Sequence, residues 1–441
     1  MEQKIKYGLD ASLDPAKTLA YSLQHLILLL ANSAIMPVII ARVLGLETLE
    51  ISEMLLRTFF LCGVLSILQT RFGHGYPIID GPSGMWMTVT ISLASVVSVM
   101  NGDLVALRTH IEFGMIVAGV LVVIIGLSGK MKYIAGLFSP LVSGVFLLLM
   151  PIQLSKSLVG GMLGTVYGGN EIDSGSFFAF WVTLIVTVLV SIFASPFLKS
   201  IAILVGIGVG WVFAIAIGIG NFSDIPEMTS IIVLPQIFAW GMPAFDPGIL
   251  ITCIIGAFLL FTNFIASVQG LADVVGDDFT DKKLNRSIAL FGVSTIATGS
   301  FSTVGFVPFA TSIGIVRMTG VATRKPFYIG SIAMIILGIL GPVGLFFAAI
   351  PPSVGYGAMT VLFAVIVKQG IDYLKKAKLT ERNGFAFGIG MVIGTGIMMQ
   401  PFELFTTLPS FVVPFVSNGL LVGVILAIVL EQVIKEKNVI K

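Results

Sequence analysis

The sequence predicts an all-α integral membrane protein with fourteen transmembrane segments, arranged as two inverted halves of seven. Three observations predict it. Of 441 residues, 56% are hydrophobic and 11% charged, whereas soluble domains carry about 25% charged residues. Apolar runs near the roughly 20 residues that a bilayer crossing needs recur along the whole chain. The few basic residues sit in alternate connections, the pattern of cytoplasmic loops.

The runs are 18–44, 51–71, 77–99, 108–128, 133–157, 175–196 and 199–220, then 249–275, 285–299, 301–318, 327–350, 352–373, 383–401 and 411–434. The first follows a short polar stretch with Lys4, Lys6 and Lys17 and has no small-residue cleavage site after it, so it reads as a retained span rather than a signal peptide. The polar-leaning connection 221–248 separates the halves. With the N-terminus in the cytoplasm and the spans alternating, every Lys and Arg falls inside except Arg42, Arg57, Arg108 and Lys156. One missed or invented span would scramble that asymmetry downstream. The span number is therefore even, and both termini are expected in the cytoplasm. Seven spans per half makes the halves inverted relative to each other, a common build for secondary transporters.

Several function classes drop out. A net charge of +2 lacks the basic footprint of a nucleic-acid binder. Two cysteines, Cys62 and Cys253, are too few for a disulfide framework or a zinc cluster; both are expected to pack in apolar surroundings. No Gly-rich phosphate loop with its Lys occurs, so nothing points to ATP hydrolysis. Neither an enzyme nor a cofactor or metal is expected, and energy would come from an ion gradient.

The third and tenth spans are irregular. The third opens Tyr76-Pro77-Ile78-Ile79-Asp80-Gly81-Pro82-Ser83-Gly84-Met85-Trp86, and Gly81, Pro82 and Gly84 resist a helix interior. The expectation is a short extended piece, with Asp80 capping a helix that opens near Pro82. The tenth opens Phe301-Ser302-Thr303-Val304-Gly305-Phe306-Val307-Pro308-Phe309-Ala310. It too reads as extended, with Thr311 or Ser312 capping a short helix that ends near Met318. Such backbone survives in a membrane only when buried in protein or lining a cavity. Two half-helix N-termini offer N–H groups and positive dipole ends to a flat polar ligand or an anion.

Thr311-Ser312-Ile313-Gly314-Ile315-Val316-Arg317-Met318-Thr319-Gly320 resembles the signature of the nucleobase/ascorbate transporter family. Gly314, Thr319 and Gly320 match its spacing; Thr311 stands where Gln or Glu is usual, and Ser312 where Asn is usual. Gln24-His25, Gly81-Pro82-Ser83, Gln269-Gly270-Leu271-Ala272-Asp273 and Ser417-Asn418-Gly419 are similar to further family motifs, so the resemblance spans nearly the whole chain. It implies a core domain of spans 1–4 and 8–11 and a gate domain of spans 5–7 and 12–14. The domain bounds expected here are 1–128 and 249–350 for the core, and 129–248 and 351–441 for the gate. It also implies a homodimer, and a base clamped by side chains of spans 8 and 10. Carried over, the clamp is Gln269 and Thr311, neither of which titrates. Gln269 can still donate to and accept from a base edge.

The expected substrate-binding residues are thus Gln269, Thr311, Ser312, Gly314, Gly81, Ser83 and Trp86. Asp273 lies on the same helix face as Gln269, and an acid within a span is a functional candidate by default. Asp273, His25 and Asp80 are the candidates for proton coupling, each with a structural alternative: a bridging carboxylate, a hydrogen-bonded core histidine and a helix cap. Trp86 is placed to stack on a ring or simply to pack. Asp277, Asp278 and Asp281 are expected to be solvated, and Glu112 interfacial. The expected function is proton-coupled uptake of a nucleobase, a purine such as xanthine or urate, across the plasma membrane by alternating access. Sodium is the alternative coupling ion. An anion carrier of the same architecture and a non-transporting receptor remain open.

Overall fold

The computed structural model describes residues 5–99, 102–131, 136–165, 171–219, 230–377, 380–409 and 412–434. Helix starts follow local chemistry. Asp14 caps α1 (Pro15–Ser33) by accepting from the Lys17 N–H, and Pro15 occupies the first turn, where its missing N–H costs nothing. Helix α2 (Ile35–Val43) continues after a break at Ala34. A reciprocal Glu47–Glu50 capping box opens α3 (Thr48–Phe72). Strand β1 (Asp80–Pro82) and α4 (Gly84–Val99) follow, then α5 (Leu104–Leu127), capped by Asp103. Ser139 caps α6 (Pro140–Leu163) and Asp173 caps α7 (Ser174–Phe193). Next come α8 (Pro196–Ser200) and α9 (Ala202–Ala216).

The second half opens with α10 (Pro247–Val275), capped by Asp246, and α11 (Asp281–Ser300), capped by Thr280. Strand β2 (Phe306–Pro308) leads into α12 (Thr311–Thr319). The chain continues through α13 (Arg324–Leu337), α14 (Gly341–Ala348), α15 (Pro352–Lys376) and α16 (Glu381–Met399). A 3-10 turn (Phe402–Thr407), α17 (Val413–Val416) and α18 (Gly419–Val433) close it. Asn418 caps α18 through the Leu421 N–H.

Among the described residues, seven helical stretches are long and apolar enough to cross a membrane: α1 with α2, α3, α5, α6, α7, α10 and α15. Several expected boundaries move for identifiable reasons. Within the run 133–157, α6 starts at Pro140, where Ser139 provides the cap; residues 132–135 lie outside the described residues. The run 175–196 stops at Phe193 because Pro196 forces extended backbone before it. The run 285–299 gains a turn at its start because Thr280 caps at Asp281. The runs 327–350 and 411–434 each divide into two helices, at Gly338 and Ser417. Residues 221–229 of the connection 221–248 lie outside the described residues.

Helix packing falls into two sets. Helix α5 packs on α10 and α11, while α3 packs on α13 and α14, and α1 on α13. Separately, α6 packs on α15 and α18, α7 on α9 and α15, and α16 on α18. Close approaches are bought with glycine: a Cβ at Gly119 or Gly292 would strike the facing backbone of α11 or α5.

Candidate functional site

The two extended segments expected in the irregular spans are present, and they pair with each other. Strands β1 and β2 run antiparallel, with Asp80 opposite Pro308, Gly81 opposite Val307 and Pro82 opposite Phe306. Two flanking bonds lengthen the ladder: Ser83 N–H to the Gly305 carbonyl at 2.9 Å and Phe309 N–H to the Ile79 carbonyl at 2.8 Å. Helix α4 leaves one end of the ladder and α12 the other. The starts of α4 (Gly84) and α12 (Thr311) thus flank the ladder at its two ends. Their positive N-terminal ends face this crossing, although some first-turn N–H groups are already taken: those of Ser312 and Ile313 by the Phe309 and Ala310 carbonyls at 3.1 Å, and that of Met85 by Ser83.

The expected caps are corrected. Asp80 is a ladder residue, not a cap; Ser83 caps α4 by accepting from the Met85 N–H at 3.2 Å. The cap position of α12 is Ala310, with no side-chain cap. Ser312 turns back instead, its hydroxyl accepting the Ile79 N–H at 3.1 Å, and so ties α12 to the strand of the other half. Thr311 and Gly314 are exposed on α12, and a Cβ at Gly314 would meet open space.

Asp80 is 1% exposed, and its Oδ2 meets no hydrogen-bond partner among the described residues. Its backbone is held from both sides: the amide donates to Ser66 Oγ at 3.0 Å, and the carbonyl accepts from the Cys62 thiol at 2.9 Å. Cys62 therefore does more than pack. Gly81 sits under the Phe309 ring, where a Cβ would stand 2.7 Å from the ring edge. Trp86 is buried against Gly305. Cys62, Ser66 and Phe309 carry no sequence signal of their own; their roles come from the fold.

Helix α10 packs against α4, β2 and α12. Gly270 makes room for Ile313 of α12, which brings the Gln269 end of α10 beside the first turns of α12. Gln269 Nε2 donates to Asp273 Oδ1 at 2.8 Å. Both side chains are exposed and line a cavity of about 280 Å³ between α10, the start of α6 and the end of α15, with Tyr373 and Lys376 on the far wall. Above it, Met150 of α6 and Phe363 of α15 close over Gly84. Gln269 and Asp273 thus line this cavity, Thr311 and Gly314 are exposed on α12 without lining it, and Asp80, Gly81, Ser83 and Trp86 are buried at the crossing. His25 lies apart, 7% exposed and edge-on to Phe327 of α13 at 5.3 Å.

Two further expectations are overturned. Glu112 is fully buried rather than interfacial; Ser302 donates to it, and the Ser302 carbonyl faces the buried Arg57 guanidinium at 3.5 Å. Helix packing of α3 and α5 against the turn at Ser302 forces these groups together. Asp277 is not simply solvated: Tyr76 Oη and Lys283 Nζ donate to it at 2.9 and 2.6 Å. The Lys283 contact holds its carboxyl below the ordinary value.

A two-strand crossing fed by half-helices, inside a bundle of apolar helices, is the kind of broken-helix arrangement on which membrane transporters build their sites. Comparison with known proteins narrows the class. Residues 16–403 match the Permease family, Xan_ur_permease, and the chain belongs to it. It is a multi-pass membrane permease and not an enzyme. It is 25% identical over 425 residues to a xanthine permease of Bacillus subtilis, covering 95% of this chain and 93% of that protein. It is 27% identical over 434 residues to the uric acid transporter UacT of Escherichia coli, covering 96% and 87%. The transmembrane domain of a cyanobacterial bicarbonate transporter, BicA, superposes with a TM-score of 0.62 at 16% identity, covering 96% of this chain and all of that one; that likeness concerns the fold.

Proposed function

We propose that this permease takes up an oxopurine, xanthine or urate, in symport with a proton. The observation that carries the reading is the β1–β2 crossing with Gln269 of α10 beside it. A planar base fits such a slot: its carbonyl and ring N–H edges match the donor and acceptor of Gln269, and carbonyl oxygens suit the positive N-terminal ends of α4 and α12. Thr311, Ser312, Gly314, Gly81 and Ser83 shape the slot, and Trp86 backs it. Asp273 would carry the coupling proton, with Asp80 and His25 as further candidates and sodium as the alternative ion. The purine-permease relatives favour this substrate over an inorganic anion and over a receptor role.

The two packing sets would act as core and gate, with bounds 1–128 and 249–350 against 129–248 and 351–441. Their relative movement would give alternating access in a fourteen-span inverted repeat. Both termini would face the cytoplasm from the plasma membrane, and the gate would form a homodimer. Uptake of radiolabelled xanthine, urate, uracil and sulfate into proteoliposomes, with and without a pH gradient, tests the proposal. Accumulation of xanthine or urate driven by an acidic exterior is expected; accumulation of none of the four sinks the transport reading, and gradient-independent entry sinks proton coupling.

A further inference from the structure

A second cavity, of about 480 Å³, opens on the face read above as cytoplasmic, away from the Gln269 slot. Its walls come from the end of α3, the 73–75 turn, the start of α11, the start of α13 and the N-terminal segment around Asp10. Cations dominate it: Arg71, Lys283, Arg286, Arg324 and Lys325. Two of these are answered locally, Lys283 by Asp277 at 2.6 Å and Arg324 by Asp10 at 2.6 Å. The other three meet no carboxylate among the described residues; Arg286 spends two N–H groups on the Gly73 carbonyl.

His74 lines the same cavity and is 1% exposed. The positive φ of Gly75 (+86°) doubles the chain back, so that the Tyr76 N–H donates to His74 Nδ1 at 3.0 Å. Nδ1 is therefore an acceptor and bears no proton. Burial, reinforced by Arg286 and Arg324, pushes the imidazole pKa down to about 3, so at neutral pH the ring is neutral and its one proton sits on Nε2. That Nε2–H donor meets no acceptor among the described residues. A buried donor without a partner costs free energy, and here it borders a basin with three unanswered cations.

We propose that this cavity binds a phosphate group, with His74 Nε2 as a buried donor and Arg71, Arg286 and Lys325 supplying charge. Two sources share that chemistry, a soluble phosphate and the headgroup of an anionic lipid. Bound there, the group would join the turn leading into β1 to the segment leaving α12, the two chain ends of the crossing.

The test uses the full-length protein in nanodiscs, with thermal midpoints read in sodium phosphate against sodium chloride at equal ionic strength. Discs of phosphatidylcholine alone are compared with discs that also contain phosphatidylglycerol. His74→Asn is the informative variant: its Oδ1 can replace Nδ1 as acceptor for Tyr76, and nothing replaces Nε2–H. Arg71→Gln is the second, at an exposed position. Phosphate is expected to stabilise the native protein in phosphatidylcholine discs beyond chloride. Each variant should weaken the apparent phosphate affinity about tenfold, the value of one charge-assisted hydrogen bond. A phosphate effect that persists in phosphatidylglycerol discs identifies a soluble ligand. One that vanishes there, with a phosphatidylglycerol benefit lost in both variants, identifies the lipid headgroup. Equal action of phosphate and chloride with no phosphatidylglycerol benefit overturns the site, as does a phosphate effect undiminished in both folded variants.

Discussion

Gly305→Ala tests whether the crossing depends on its tight packing. The Gly305 carbonyl accepts the Ser83 N–H, the residue that caps α4. A Cβ at Gly305 would overlap Nε1 and Cδ1 of Trp86 and stand 2.7 Å from Cε2. Carbon pairs settle at about 3.5–4.0 Å, so the indole must retreat by about 1 Å. Trp86 is 1% exposed, so its retreat presses on buried neighbours. Overpacking costs about 1–3 kcal/mol, and the upper end applies because a rigid ring must push buried neighbours. The retreat also drags the first turn of α4, where a ligand would bind. The expected result is a thermal midpoint lowered by several degrees and uptake of xanthine or urate lowered about tenfold or more. Trp86→Leu removes Nε1 and Cε2 and leaves a side chain that can turn away. In that background Gly305→Ala should cost about 2 kcal/mol less, a coupling of the size expected for residues in contact. A Gly305→Ala protein as stable and active as the native one, or strictly additive single and double variants, would refute the reasoning.

Asp273→Asn should abolish accumulation against a gradient yet leave substrate exchange intact, measured by counterflow in proteoliposomes; unchanged accumulation removes Asp273 as the proton carrier. Gln269→Ala should raise the apparent substrate constant about tenfold or more, since it removes hydrogen bonds worth about 0.5–1.5 kcal/mol each; competition assays read it, and an unchanged constant removes Gln269 from the clamp. Arg108→Leu should lower stability by about 3 kcal/mol, because Arg108 donates three bonds, at 2.7–3.0 Å, to the carbonyls of Leu44 and Gly45 that end α2. A thermal midpoint within a degree of native contradicts that role. His74 has a folded pKa near 3 against an ordinary 6.5. Its unfolded form takes a proton that the folded form refuses, so its contribution is full above about pH 6.5 and falls as pH drops towards 3, approaching about 1.4 kcal/mol per unit. His74→Asn should flatten the loss of stability between about pH 6.5 and 5; an identical slope in both proteins rejects this account.

The sequence by itself determined the membrane class, because a chain with 11% charge cannot cover itself in water. It also located both interruptions: proline and glycine restrict backbone locally, so Pro82, Gly81 and Pro308 announce extended pieces whatever surrounds them. The family motifs at Gly314, Thr319 and Gly320 were legible for the same reason, being contiguous in the chain. What only the tertiary structure decided is how separated groups meet. That β1 pairs with β2 across more than 200 residues, that Ser312 serves Ile79 rather than its own helix, and that Cys62 and Ser66 hold Asp80 depend on helix packing. The same packing buried Glu112 against Ser302 and Arg57 and turned His74 into a buried donor beside a basic cavity. Local backbone preference is written residue by residue, whereas the partner of a polar side chain is set by which helix the fold brings alongside it.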